Sequence, residues 1–125
     1  MALPTSAVWL KKQHILTLTI SAQTASFDLP FPMIANSIGA CLQMTGTIGT
    51  AATSLQVSVD NVNFVDVALL QTTTVSHTEL KALTIALSPY SMRLEDLAYP
   101  FLNLHHTAGG GSSIAFTMAM IEGRR

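Results

Sequence analysis

The sequence contains few charged residues. Only 10% of its 125 residues are Asp, Glu, Lys or Arg, whereas a typical soluble domain has about 25%. Six basic and seven acidic residues give a net charge of −1, and no basic stripe runs along the chain. We therefore expect no nucleic-acid partner, because the electrostatic footprint of such binding is missing. A surface with little charge repulsion also tolerates extensive contacts with other proteins.

Cysteine and long apolar runs are scarce as well. The single cysteine, Cys41, excludes an intrachain disulfide and a multi-thiolate metal site. Its place in an apolar strand pattern predicts a buried structural thiol. No apolar run approaches the roughly 18 residues of a membrane helix, and the first residues lack the basic and apolar regions of a signal peptide. We therefore expect no membrane partner and a protein made in the cytoplasm.

What the sequence does contain is a series of short apolar segments. Many alternate apolar and polar residues with a period of two, which is the signature of a half-buried strand. The predicted strands lie at residues 14–20, 25–29, 37–46, 55–59, 62–69, 80–87, 101–105 and 114–121. No long helical pattern interrupts them. About eight strands at this spacing predict an all-β fold, an antiparallel β-sandwich of the jelly-roll type.

The strongest hairpin signal joins the strands at 55–59 and 62–69. Asp60-Asn61 lies between them as a turn pair whose side chains tolerate the left-handed conformation.

Two other segments have special sequence features. Pro30 and Pro32 predict the end of the strand at 25–29, because proline interrupts a ladder. Residues 90–98 fit either one helical turn or a bent strand.

Side chains that could support catalysis are few and poorly spaced. The carboxylates and histidines are Asp28, Asp60, Asp66, Glu79, Glu95, Asp96, Glu122, His14, His77, His105 and His106. Glu95-Asp96 and His105-His106 are adjacent pairs, so on a strand the two members of each pair point to opposite faces. No His-x-His or His-Glu-x-x-His spacing places two metal ligands on one face.

Nucleotide-binding and nucleophile motifs are also missing. Gly109-Gly110-Gly111 lacks the Lys and the helix of a phosphate-binding loop, and a hairpin turn explains it better. No Gly-x-Ser-x-Gly sequence is present. The sequence therefore predicts no enzyme, no cofactor and no metal, although a pocket gathering His77, His105 and an acidic residue would favour an enzyme.

The N-terminal residues contain the candidate partner-binding side chains. We expect an N-terminal arm at residues 1–13, followed by a single sandwich domain at 14–125. Trp9 lies before the first clear strand, so it either anchors the arm on a neighbouring protein or packs on its own sandwich. Lys11 and Lys12 either keep this end soluble or contact an acidic partner surface.

Two stretches resemble a known pattern. Residues 44–67 contain a strand that ends in Ser-Val-Asp-Asn followed by the aromatic Phe64, and residues 99–118 contain a late strand followed by a Gly-rich hairpin. This pattern resembles small virion proteins of tailed phages, namely capsid decoration (cement) proteins and related jelly-roll modules. It is also similar to discoidin-like carbohydrate-binding sandwiches. Asn61, Phe64 and Asn103 depart from the pattern, which has Gly, Trp and Arg there, and this disfavours sugar binding of the discoidin-like type.

The resemblance implies a bacteriophage virion structural protein. Its expected role is that of a capsid decoration protein, made in the host cytoplasm and located on the capsid surface of the virion. It would bind the major capsid protein and stabilise the shell as a homo-oligomer, with a trimer favoured. The alternative is a carbohydrate- or receptor-binding module of a phage tail or fibre, with Trp9, Tyr90 and Tyr99 as the candidate sugar platform.

Overall fold

The chain forms two antiparallel sheets that pack face to face on a shared apolar core. The structure, a computed structural model, describes residues 7–34, 36–71, 79–80, 83 and 89–123. Within these ranges there are eleven strands and one 3₁₀ helix, Leu94–Ala98. The strands are β1 (Ala7–Lys12), β2 (Ile15–Gln23), β3 (Phe27–Pro32), β4 (Ser37–Thr47), β5 (Ala52–Ser58), β6 (Val65–Asp66), β7 (Leu69–Gln71), β8 (Glu79–Leu80), β9 (Tyr90–Ser91), β10 (Phe101–Thr107) and β11 (Ser113–Glu122). The predicted all-β sandwich is confirmed.

Eight of these strands have the order of a jelly roll. In the larger sheet the order is β1-β2-β11-β4-β9-β7-β8, and in the smaller sheet it is β3-β10-β5-β6. The stretch β2-β11-β4-β9 therefore faces β3-β10-β5-β6, the arrangement produced when one long antiparallel ribbon folds over on itself. β1 extends the larger sheet at one edge, and the short hairpin β7-β8 extends it at the other.

Alternation along the strands builds the core, as β11 illustrates. Ile114, Phe116, Met118 and Met120 are all buried, as predicted. The ring of Phe116 meets that of Phe27 on β3 edge-on, with 5.8 Å between centroids. The core therefore consists of side chains from the inner faces of both sheets.

β3 continues through both prolines, so the prediction that they end this strand is wrong. Pro30 pairs with Asn103 and Pro32 with Phe101 on β10. β3 is an edge strand, and successive N–H groups alternate between its two sides. Two prolines spaced two residues apart can therefore both face the open edge, where no ladder donor is lost.

The loop after β5 explains why the predicted strand at 62–69 is mostly wrong. The hairpin itself is confirmed, because β5 and β6 pair through Val57 and Val65. The carboxylate of Asp60, however, accepts the backbone N–H groups of Val62 and Asn63 at 2.9 and 2.8 Å. These two N–H groups are therefore not available for hydrogen bonds to a neighbouring strand. Asn61 adopts a φ of +61° in the turn.

The environment of Cys41 also differs from the prediction. Cys41 is exposed, because it lies on the outer face of β4 between the inward-facing Ala40 and Leu42. The prediction of a buried thiol is therefore wrong: an alternating strand buries one face only, and Cys41 is on the other.

Two of the remaining predicted segments lie within the described residues, and one lies largely outside them. Residues 90–98 contain both alternatives, since the short strand β9 precedes the 3₁₀ helix. Residues 7–12, which the sequence analysis assigned to an arm, form β1 and pair with β2. His77 and most of the predicted strand at 80–87 lie outside the described residues.

Candidate functional site

An apolar groove lies at one side of the sandwich, where the edge strands β1 and β3 meet. Trp9 of β1 packs edge-on against Phe31 of β3, with 5.3 Å between ring centroids. The groove has a volume of about 460 Å³. Its lining residues are Trp9, Leu16, Leu29, Pro30, Phe31, Pro32, Met33 and Ile34. An apolar hollow beside two sheet edges is suited to an apolar partner segment.

The two edges beside the groove differ in what they offer a partner. Among the described residues, no strand pairs with the side of β1 that faces away from β2. β1 is also apolar and accessible, since Val8 is 61% exposed and Leu10 is 53% exposed. β3 carries Pro30 and Pro32, which obstruct strand addition. β1 is therefore the edge of the groove that is open to pairing.

The three predicted partner-binding residues lie on β1 but on different faces. Trp9 and Lys11 share the inner face with Leu16 and Leu18 of β2, and Lys12 lies on the outer face. Trp9 packs on its own sandwich through Phe31 and remains 41% exposed. Lys11 forms an ion pair with Glu122 at 3.4 Å. Lys12 makes no ion pair within the part of the chain that the structure describes.

A second, polar hollow lies on the outer face of the smaller sheet. Asp28, Asn103 and Gln56 stand on the neighbouring strands β3, β10 and β5. Asn103 Nδ2 donates to Asp28 Oδ1 at 3.1 Å and to Gln56 Oε1 at 2.7 Å. Gln56 Nε2 donates in turn to Asp66 Oδ1 at 2.9 Å. A chain of hydrogen bonds therefore crosses all four strands of this sheet.

The carboxylate of Asp28 is the centre of this network. His105 Nδ1 lies 2.5 Å from Asp28 Oδ1. Burial raises the pKa of Asp28, but hydrogen bonds from His105 and Asn103 outweigh it and hold the pKa below its usual value of 3.8. The carboxylate is ionised at neutral pH and can only accept, so Nδ1 of His105 carries the proton. Nε2 is then the acceptor in the neutral ring.

One row of side chains has the order of a catalytic triad, namely Thr107, His105 and Asp28. The backbone N–H groups beside it, which could bind an oxyanion, are however engaged elsewhere. Thr107 Oγ1 lies 3.4 Å from His105 Nε2. The next three N–H groups all donate to hydroxyls: Ala108 to Ser26, Gly109 to Ser112 and Gly110 to Thr50. Acyl-transfer catalysis needs free N–H donors at this point. These three N–H groups therefore do not form an oxyanion hole.

His106, the other member of the adjacent pair, points inward as the strand geometry predicts. It is fully buried, and its ring forms a triangle with those of Phe27 and Phe116, with its centroid 5.4 Å from each of theirs. Nδ1 lies 2.9 Å from Thr53 Oγ1. Nε2 has no hydrogen-bond partner among the described residues. Burial lowers the pKa of His106, so the folded structure favours the neutral ring.

The predicted sugar platform does not form. Tyr90 is fully buried, which makes its assignment to an exposed platform wrong. Trp9 lies in the apolar groove, whereas Tyr99 lines a different hollow beside Val57 and Asp60. The three rings therefore share no surface.

Sequence reasoning missed the polar hollow because its residues come from separate strands. Asn103 and His105 share a face of β10, which the alternation of that segment could indicate. Their neighbours Asp28 and Gln56 become evident only from the strand register. Phe64, predicted as the aromatic after the turn, lines the same hollow.

Neither a metal cluster nor a known relative identifies the chain. Within the described ranges, no three His, Cys, Asp or Glu side chains are grouped to hold a metal ion, and no helix is long and apolar enough to cross a membrane. Comparisons with protein-family models, curated proteins and solved structures find no match. The groove, the polar hollow and the fold are therefore the features that bear on function.

Proposed function

We propose that the chain is a structural protein of a bacteriophage virion, a capsid decoration protein that binds the shell through the apolar groove and the open edge of β1. The observation that carries the proposal is the contrast between the two edges. β1 is accessible and apolar, whereas the neighbouring β3 is obstructed by Pro30 and Pro32. A surface of this kind binds an extended segment of another protein by strand addition.

The proposed occupant is an extended segment of the major capsid protein. Backbone hydrogen bonds to β1 would supply affinity, and apolar side chains at alternate positions would enter the groove beside Trp9. Each square ångström of apolar surface buried there contributes about 25 cal/mol before the costs of association. Lys12, exposed at the end of β1, favours a segment with an acidic residue at the matching end.

Fold and composition support the same role. Jelly rolls are found among viral capsid and lectin domains, although a fold alone does not define a function. Only 10% of the residues are charged, which suits extensive protein contacts. The resemblance of residues 44–67 and 99–118 to phage decoration proteins points in the same direction. We further propose that the protein acts as a homo-oligomer, with a trimer favoured, and has no enzymatic activity.

The test is co-sedimentation with purified capsid shells of the phage or prophage that encodes the chain. Recombinant protein is mixed with shells, pelleted and quantified per capsid subunit. We expect saturable binding, and light scattering after size exclusion should give three chains per particle of free protein. Absence from purified virions together with no co-sedimentation would overturn the proposal. A monomer that still binds saturably would overturn only the trimer.

A pair of charge-matched variants locates the contact. Val8→Lys with Leu10→Lys places two charges on the open edge, and binding should weaken at least tenfold. Val62→Lys with Val65→Lys adds the same charge at exposed positions near the opposite edge of the smaller sheet, and binding should remain unchanged. Equal losses in both variants would show that net charge, and not β1, controls binding.

A further inference from the structure

We propose that the polar hollow over Asp28, His105 and Phe64 is a binding site for one pyranose unit of a saccharide. This inference is independent of capsid binding, because it concerns the outer face of the smaller sheet and not the open edge of β1. It also differs from the platform expected from the sequence, since neither Trp9 nor a tyrosine contributes.

The hollow has the size and wall chemistry of a small-ligand site. Its volume is about 360 Å³, within the range of roughly 300–1,000 Å³ that is usual for ligand pockets. It is lined by Asp28, Pro30, Gln56, Phe64, Asn103 and His105. The four polar side chains stand on the outer face of the sheet and form the floor, and Pro30 and Phe64 complete the lining.

The floor is held in place before any ligand arrives. Asp28 and Asp66, both acceptors, lie at the two ends of the hydrogen-bond chain, which fixes the orientation of the Asn103 and Gln56 amides between them. Oδ1 of Asp28 accepts from both Asn103 and His105, while the side chain remains 39% exposed. The second oxygen, Oδ2, accepts no hydrogen bond from a described residue. It is therefore available as a fixed acceptor for a ligand hydroxyl.

Asn103 supplies a second indication of a ligand site. It is only 5% exposed although it stands on the outer face of the sheet, and its Oδ1 has no donor among the described residues. Buried polar atoms without partners are rare in folded proteins and call for a specific reason. Retaining an under-satisfied amide beneath an open hollow fits a binding role better than a purely structural one.

The mixture of groups favours a saccharide over a cation. A single carboxylate whose charge is already shared between two internal donors attracts a cation weakly. Hydroxyl groups both donate and accept, so they match a floor that contains a carboxylate, an imidazole nitrogen and amides. The ring of Phe64 matches the apolar face of a pyranose. Its position is set by the turn at Asp60, whose carboxylate accepts the N–H groups of Val62 and Asn63.

The test begins with an array of defined saccharides covering neutral hexoses, N-acetylhexosamines and acidic sugars. The strongest binder is then titrated into ¹⁵N-labelled full-length protein. We expect shifts in the side-chain amide signals of Asn103 and Gln56 and little change in the backbone signals of β1. No binder on the array at millimolar concentration, or a binder that shifts β1 and not these amides, would overturn the proposal.

Two variants and a control separate binding from folding. Asp28→Asn should lower affinity about 10- to 100-fold through the loss of a charged acceptor. Phe64→Ala, in an exposed loop, should lower it about 3- to 10-fold and keeps the test valid if Asp28→Asn unfolds. Glu95→Gln, at an exposed position of the 3₁₀ helix, should bind normally. Unchanged affinity in a folded Asp28→Asn or Phe64→Ala protein would contradict the site. N-acetylarginine amide serves as a mimic of an arginine side chain from a protein ligand. If it shifted the amide signals of Asn103 and Gln56 and no saccharide did, the proposal would also be contradicted.

Discussion

The ring of Trp9 packs edge-on against the ring of Phe31, and this contact joins the outermost strands of the two sheets. Trp9 belongs to the larger sheet and Phe31 to the smaller one. The pair therefore closes the sandwich at one side and at the same time forms part of the apolar groove. Stability and the proposed partner binding therefore depend on the same ring.

The first prediction concerns this ring pair. Trp9→Ala should lower the free energy of unfolding by about 1–3 kcal/mol, because it removes partly buried apolar area and an aromatic contact. Trp9→Phe keeps a ring near Phe31 and should lose less. Urea unfolding followed by circular dichroism measures both. If Trp9→Ala were as stable as the parent, β1 would not be fastened to the sandwich through this ring.

The second prediction is a loss of stability in mild acid caused by His106. Its pKa is lowered in the folded protein by burial, from an ordinary value of 6.5. Stability is therefore fully present above pH 6.5 and falls as the pH drops toward the folded pKa, because the unfolded chain takes up a proton that the folded chain refuses. The slope can reach about 1.4 kcal/mol per pH unit. The pKa of Asp28 is lowered from 3.8, so the stabilisation that its carboxylate provides is lost only below about pH 4.

Two histidine variants test the source of this slope. His106→Phe fills a similar volume between Phe27 and Phe116 and should flatten the stability profile between pH 7 and pH 5. His14→Asn changes an exposed turn residue with a φ of +66°, which Asn tolerates, and should keep the acid sensitivity. Urea midpoints across this pH range provide the comparison. A slope that persists in His106→Phe would assign the effect to another group.

The third prediction compares two glycines of β4. Gly46 has a φ of +109°, and a Cβ there would lie 2.2 Å from the carbonyl oxygen of Ser113. Gly46→Ala should therefore cost about 1–3 kcal/mol or more. A Cβ at Gly39 would approach only Ile121, at 3.9 Å, so Gly39→Ala should stay within about 0.5 kcal/mol of the parent. Thermal unfolding of both variants measures the difference. Equal stability of Gly46→Ala and Gly39→Ala would contradict the prediction.

Much of the fold could be predicted because alternation records which face of a strand is buried. Ile114, Phe116, Met118 and Met120 follow this rule along β11, and the strand is found where it is predicted. The failures come from information outside the local pattern. Pro30 is compatible with a strand only because that strand lies at an edge, which the sequence alone does not reveal.

The candidate sites were less predictable for a related reason. The position of Trp9 before the first clear strand predicts either a partner-binding ring or a ring packed on its own sandwich, but its contact with Phe31 depends on how two sheets stack. Asp28 and His105 are 77 positions apart and meet only through the register of β3 with β10. The chemical type of each side chain can be read from the sequence, whereas the topology decides which side chains come together.

Hydrogen exchange can test whether the open edge of β1 receives a segment of the capsid protein, as we propose. Amide exchange of residues 7–12 is compared by mass spectrometry in the free protein and in the protein bound to purified shells. We predict that β1 becomes protected on binding, while the loop at residues 59–64 keeps its free exchange rate. Unchanged exchange across β1 in a saturated complex would show that no segment of the shell pairs with this edge.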